Sequence, residues 1–287
     1  MKRLLLIDGH NLLFKMFFGM PFPFYNIDNC NITGTVGFVG TVIKMIKYLK
    51  ADECLVVFDG ENSRSLRESD ENYKANRTTD YGSLNDDENP FSQLDYIKST
   101  LDYLNICWVE TKDCECDDYI ALITKAYDGE IFISSTDTDF LQLVNDKVNV
   151  IKYKGKNTTI INEQFVKNNY LISPKNFALY KAMIGDKADN IKGVNKVGHK
   201  TAVNIINAIN NNEKNKFYSI YEDNLDLINH NLELIKLPNK NTRCDIIDFK
   251  MLNINQNILK NFKPLCIVNK VTTRIKKEER WTKQLAI

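Results

Sequence analysis

Acidic residues stand behind short apolar runs at several points of this 287-residue chain. Asp8 directly follows the run 4–7 (LLLI), and Asp59 directly follows 55–58 (LVVF). Asp137 and Asp139 come just after the run 131–134, in Ser-Ser-Thr-Asp-Thr-Asp, and Glu115, Asp117 and Asp118 follow the run 106–109. A further pair, Asp186 and Asp189, is spaced i,i+3, which fits one side of a helical turn. Each alone has a plain structural explanation. An Asp behind a strand commonly caps the next helix or makes a turn, and Asp117 fits an N-cap. Gathered together they are costly, because two carboxylates about 4 Å apart repel by ~4 kcal/mol at an effective dielectric of about 20. A fold that collects many of them needs a cation. All-oxygen donors, with three histidines in the whole chain, fit Mg²⁺ or Mn²⁺ better than zinc, and their number allows more than one ion. Paired ions of this kind serve phosphoryl chemistry, one activating water and the other steadying the leaving oxygen.

The elements that must position these groups are legible too. The runs 4–7, 55–58, 106–109, 131–134 and 148–151 are mostly unbroken, as expected of strands covered on both faces. Between them lie segments of helical spacing at 35–49, 91–104 and 117–127. That alternation predicts an α/β fold with a mostly parallel central sheet flanked by helices, in which ligands bind at the carboxyl ends of the strands. From 60 to 90 the pattern fails. The segment is polar, with Arg64, Arg67, Lys74 and Arg77 ahead of Asp86, Asp87 and Glu88, and a connection this long inside a domain is functional or disordered. After 173 the chain turns helical and rich in Asn and Lys. The predicted division is 1–172 and 173–287.

Composition excludes several classes. Hydrophobic residues make up 43% and charged residues 26%, ordinary for a globular protein. The 38 basic and 37 acidic residues leave a net charge of +1, so no global field marks a nucleic-acid partner, although local patches of both signs remain possible. The seven cysteines are odd in number, contain no CxxC pair and include one CxC at Cys114 and Cys116. We read all of them as reduced thiols of a cytoplasmic protein. The start, MKRLLLI, is broken by Asp8 and His10 too early for a signal peptide, and no stretch has the length of a membrane span.

Five segments carry a resemblance. LLLIDGHNLLF, VVFDGENSRSLRESDENYKANR, ECDDYIAL, ISSTDTDFLQLV and IGDKADNIKGVNKVGHKTA stand in the order found in the 5′-nuclease family. That family includes the N-terminal domain of bacterial DNA polymerase I, stand-alone 5′→3′ exonucleases and the flap endonucleases. The resemblance covers residues 1 to about 210 strongly and the rest loosely. It implies a PIN-like 5′-nuclease fold and hydrolysis of DNA phosphodiesters as a 5′→3′ exonuclease and 5′ flap endonuclease in replication and repair. Two Mg²⁺ or Mn²⁺ ions are implied as well. Asp8, Asp59, Glu115, Asp117, Asp118 and Asp137 match the acidic positions of the first metal site, and Asp139, Asp186 and Asp189 those of the second. Cys116 departs from the family, which usually has Ala there; both are small, so metal binding should be little affected.

The segment 60–90 resembles the family's helical arch, with Lys74 and Arg77 matching basic residues that approach the scissile phosphate. A positioned cation there stabilises the developing charge. Solvated loop charges are the plainer reading of both. Residues 193–201 (GVNKVGHKT), within about 183–209, resemble a helix-hairpin-helix that grips duplex DNA through Gly193, Lys196, Gly198, Lys200 and Thr201, and that in relatives also holds K⁺. Contacts of that kind are blind to base sequence. Tyr73, Phe14, Phe17, Phe18, Phe22, Phe24 and Tyr25 are candidates for base stacking or, more plainly, packing. His10 is a candidate substrate contact; His199 and His230 read as surface residues. The implied partners are DNA with 5′ ends, flaps or nicks, RNA–DNA hybrids, and a separately encoded polymerase, for a monomer with no membrane. Two rival readings stay open. A PIN-like ribonuclease leaves 186–201 without a role, and a catalytically weak DNA-binding protein leaves Lys74 and nine carboxylates without one.

Overall fold

The computed structural model describes residues 1–60, 70, 73–76, 81–260 and 262–285, without the side chains of 258 and 276–285. The chain opens with β1 (Arg3–Asp8), α1 (Gly9–Gly19), α2 (Thr33–Leu49) and β2 (Glu53–Asp59), then α3 (Leu94–Tyr103) and β3 (Cys107–Thr111). There follow α4 (Cys116–Ala126), β4 (Glu130–Ser134), β5 (Val148–Lys152), β6 (Thr159–Ile161), α5 (Glu163–Tyr170) and α6 (Phe177–Ile184). A small hairpin, β7 (Gly185–Asp186) and β8 (Ile191–Lys192), leads to α7 (His199–Asn210), α8 (Lys216–Asp223), α9 (Leu225–Ile235), α10 (Gln256–Lys260) and α11 (Pro264–Leu285).

Strand order in the main sheet is β3-β2-β1-β4-β5-β6. β1 and β2 run parallel, as do β4 and β5, while β6 is antiparallel to β5. The five expected strands are all present. Helices α1 and α5 and strand β6 went unread. Helix α1 starts immediately behind Asp8, and β6 is too short, at three residues, to leave a pattern. The β1–α1 turn needs its glycine: a Cβ on Gly9 would lie 2.4 Å from the Phe58 ring and 2.8 Å from the Val57 carbonyl. No helix among the described residues is long and apolar enough to cross a membrane.

The chain divides into two compact units. The first comprises Met1–Phe58, Thr79–Val109 and Ile247–Ile287. Its core is the apolar runs of β1 and β2, buried throughout from Leu4 to Ile7 and from Cys54 to Phe58. Both strand faces are covered, which is why the runs do not alternate. Helix α2 is buried along most of its length, and α11 enters the same unit where Val268 packs with Ile32 and Val36 against Phe24 and Tyr96. The second unit comprises Asp59–Thr78 and Glu110–Ile246, and holds β4 to β6 and helices α4 to α9.

Candidate metal centre

The second unit carries two acidic triads. In the first, Glu115 is the extended N-cap residue of α4, and Asp117 and Asp118 lie in that helix's first turn. One carboxylate oxygen from each of the three falls within 4.8 Å of the others. The unpaired N–H groups of a helix start favour negative charge there. Asp59, at the end of β2, joins them by accepting the Cys116 N–H at 2.7 Å. Asp117 is not the N-cap that spacing allowed; its Oδ1 accepts the neighbouring Asp118 N–H at 2.8 Å. Asp118 is 3% exposed, and its Oδ1 accepts the Asn239 N–H at 2.7 Å, 121 positions on.

One expectation is corrected beside this triad. Cys114 and Cys244 form a disulfide across 130 positions, with Cα atoms 6.6 Å apart. Five cysteines remain free: Cys30, Cys54, Cys107, Cys116 and Cys266. The pairing was invisible in the sequence because spacing carries no information about so distant a partner.

The second triad is Asp139, Asp186 and Asp189, again with one oxygen each within 4.8 Å. The i,i+3 pair does not sit on a helical turn. Helix α6 stops at Ile184 because Gly185 takes φ +79°, and the chain folds into the β7–β8 hairpin, with Asp186 in β7 and Asp189 in its turn. Gly185 and Gly193 are pressed together here. A Cβ on Gly185 would meet the Gly193 nitrogen at 2.4 Å, and one on Gly193 would meet the Ile184 carbonyl carbon at 2.3 Å. Asp139 opens a short 3-10 turn, and its N–H is accepted by Asp137 Oδ1 at 2.8 Å. The Asp137 N–H is accepted in turn by Ser135 Oγ at 3.0 Å.

A residue that was not foreseen stands inside this triad. Lys181, on α6, is buried, and its Nζ donates to Asp139 Oδ1 and Asp186 Oδ2. Burial pushes the Asp139 carboxyl up to about 7; Lys181 opposes that rise, while Asp137 and Asp186 add to it. Burial works against the Lys181 ammonium, and the Asp139 and Asp186 carboxylates overcome it and hold the ammonium charged above its ordinary range. Burial also acts to raise Asp186, but its hydrogen bond from Lys181 and the Ala188 N–H leave it below the usual carboxylate range. The available signal was a lone charge in the otherwise apolar helix FALYKAMI.

Lys74 touches both triads. Its backbone N–H donates to the Asp189 carbonyl at 3.0 Å, and its Nζ donates to Glu115 Oε1. The residue takes a left-handed φ of +56°, a conformation a β-carbon disfavours, and the ring of Tyr73 lies 4.8 Å from its Nζ. Neighbouring contacts fix the same segment: Asn76 Nδ2 donates to the Lys187 carbonyl at 2.9 Å, and His230 Nε2 lies 2.7 Å from Asp70 Oδ2. His230 is therefore exposed but engaged, as is His199, whose Nδ1 lies 3.0 Å from the Tyr180 hydroxyl. Arg77, Arg64 and Arg67 lie outside the described residues.

In the first unit, Asp8 ends β1 and its Oδ1 accepts the Asn11 N–H at 3.1 Å, capping α1. His10 packs between the rings of Phe58 and Phe91, at 5.8 and 5.2 Å. Phe14 packs on Phe18, Tyr81 and Phe91, whereas Phe18, Phe22 and Tyr25 are exposed.

The sequence profile of the 5′-3′ exonuclease N-terminal resolvase-like domain matches residues 3–171. A 5′-3′ exonuclease of Mycoplasmopsis pulmonis is 32% identical over 218 residues, 74% of this chain and 69% of that one. The chain belongs to the 5′-3′ exonuclease family. DNA polymerase I of Bacillus subtilis is 31% identical over 218 residues, 74% of this chain but 24% of the polymerase, so the chain spans about a quarter of such polymerases. Among solved structures, the bacteriophage T5 D15 flap endonuclease, in a complex with DNA and metal ions, superposes with a TM-score of 0.62 at 25% identity. That match covers 83% of this chain and 90% of the T5 protein. The T5 5′-exonuclease with zinc bound shares the fold at TM-score 0.64 and 23% identity, over 96% and 99% of the two chains.

The two triads have the donor set that divalent ions take. The expected helix-hairpin-helix segment has α6 and α7 on either side of the β7–β8 hairpin. The Val194 N–H donates to the Met183 carbonyl at 2.8 Å, closing its turn. Lys196, at φ +61°, and Lys200 are exposed, and Thr201 lies in the first turn of α7. Gly198, the N-cap of α7, faces open space where a Cβ would be added.

Proposed function

We propose that this chain is a divalent-metal-dependent 5′→3′ exonuclease and structure-specific 5′ flap endonuclease acting on DNA in replication and repair. The observation that carries the reading is Lys74 fastened to both acidic triads at once. The donors fit the ions: carboxylate oxygens within 4.8 Å of one another suit a hard cation such as Mg²⁺, which takes oxygen ligands at about 2.0–2.1 Å and keeps several of its waters. Glu115, Asp117 and Asp118, with Asp8, Asp59 and Asp137, would hold the first ion, and Asp139, Asp186 and Asp189 the second. When bound, such ions lower the pKa of water and offset charge on the phosphoryl oxygens. Lys74 would meet the scissile phosphate as negative charge develops, and Arg77 would share that task.

Duplex DNA would lie on the helical region beginning at 173, held by the N–H groups and ammoniums of Gly193, Lys196, Gly198, Lys200 and Thr201. The exposed start of α7 supports this, because helix N-termini favour phosphate. Bound K⁺ in that turn, action on RNA–DNA hybrids, a monomeric state, a cytoplasmic setting and work beside a separate DNA polymerase complete the proposal. The test is cleavage of a 5′-labelled flap on duplex DNA with Mg²⁺ and with EDTA. Release of a short labelled product with Mg²⁺ alone is expected. Binding without cleavage of flap, nicked or hybrid substrates would overturn it in favour of a DNA-binding role.

A further inference from the structure

Lys181 holds a position that a second metal ion would need. Its Nζ donates to one oxygen of Asp139 and one of Asp186, so it engages two of the three members of the second triad. Its side chain is 7% exposed, against 10% and 16% for those two partners. Lys74 differs, reaching a single carboxylate of the first triad, Glu115. A divalent ion bound through Asp139 and Asp186 would share both oxygens with the ammonium, and two cations on the same pair of oxygens repel at close range. One must yield. The lysine is the one able to, because its charge rides on a flexible four-carbon stem, and Thr138 Oγ1, 3.5 Å from Nζ, offers a nearby acceptor.

Resting on the metal reading proposed above, we infer that Lys181 is the resident cation of the second triad, which a divalent ion must displace to bind there. The ammonium holds Asp139 and Asp186 together before metal arrives and is a positioning residue rather than a catalytic one. The second ion is consequently bound weakly, by competition with the ammonium already seated on Asp139 and Asp186.

The test uses the full chain freed of metal, with Mn²⁺ as the probe and free Mn²⁺ counted by electron paramagnetic resonance. The wild type should bind one ion tightly and a second weakly. Lys181→Met removes the competing charge, and the second ion should bind at least tenfold more tightly. Lys181→Arg keeps the charge and should keep the weak phase. Circular dichroism melts confirm that each variant is folded; should Lys181→Met fail to fold, Lys181→Gln retains a polar head without charge and gives the same comparison. Unchanged or weakened binding of the second ion in the folded, uncharged variant would overturn the inference. Failure of the wild type to bind any Mn²⁺ would instead overturn the metal reading itself, and the inference with it.

Discussion

Lys74 donates its backbone N–H to the carbonyl of Asp189 and its ammonium to the carboxylate of Glu115. One residue thereby spans two acidic triads, Glu115, Asp117 and Asp118 on one side and Asp139, Asp186 and Asp189 on the other. The backbone bond fixes where the side chain begins, and the left-handed φ of +56° aims it along a path an extended residue would not take.

Replacing Lys74 with Met should therefore lower single-turnover flap cleavage by about 10²–10³-fold, the usual loss for one preorganised stabilising donor. Duplex affinity should change by less than about tenfold, since one phosphate contact among several is lost. Comparable losses in cleavage and binding would make Lys74 a DNA tether and remove it from the chemistry.

Asp118 and Asp117 should part company on stability. Asp118 is buried and accepts the Asn239 N–H, whereas Asp117 is half-buried and bonds locally to Asp118. Asp118→Ala leaves a buried N–H without its acceptor, so urea unfolding in EDTA should show a loss of about 1–3 kcal/mol. Asp117→Ala should lose a few tenths to about 1 kcal/mol, a local bond at a helix start being worth less than a buried one. Equal losses would mean that the Asn239 contact contributes nothing to stability.

How far the sequence could be read follows from the range of each interaction. The strand-end carboxylates were legible because an apolar run followed at once by Asp is a local pattern. Burial on both faces made those runs continuous, as in β1 and β2. The hairpin under Asp186 and Asp189 was misread as a helical turn because i,i+3 spacing is shared by helices and tight turns. The positive φ of Gly185 and its crowding against Gly193 decide between them. The Asn239–Asp118 bond and the Cys114–Cys244 disulfide join residues more than a hundred positions apart, and no periodicity reports such partners. Lys181 left a faint trace, a charge where the apolar face of α6 should continue, but its two partners are set by the tertiary fold.

The disulfide gives a chemical count. The chain has seven cysteines, of which Cys114 and Cys244 are paired. Protein purified without reductant and unfolded should show five titratable thiols, rising to seven after reduction. Cys244→Ser should lower stability by about 2–4 kcal/mol under the same conditions, the usual contribution of a disulfide. Seven thiols before reduction would mean that the pair is not formed in solution.

Gly193 and Gly198 separate folding from DNA contact within one turn. A Cβ on Gly193 would press into the backbone of Ile184 and Gly185, neither of which is the movable end of a side chain, while a Cβ on Gly198 meets nothing within 4 Å. Gly193→Ala should thus destabilise the chain by about 1–3 kcal/mol, as overpacking does, and lower its melting temperature with or without DNA. Gly198→Ala should melt like the wild type, because φ there is −103° and any residue can adopt it. If duplex DNA approaches the start of α7 as proposed, the added methyl of Gly198→Ala stands between the backbone N–H groups and phosphate. It should weaken duplex binding several-fold in a salt-dependent way, read by fluorescence anisotropy across a salt series. A Gly198→Ala chain that binds duplex as the wild type does would move the DNA away from this helix start, and would leave Gly193 a residue of the fold alone.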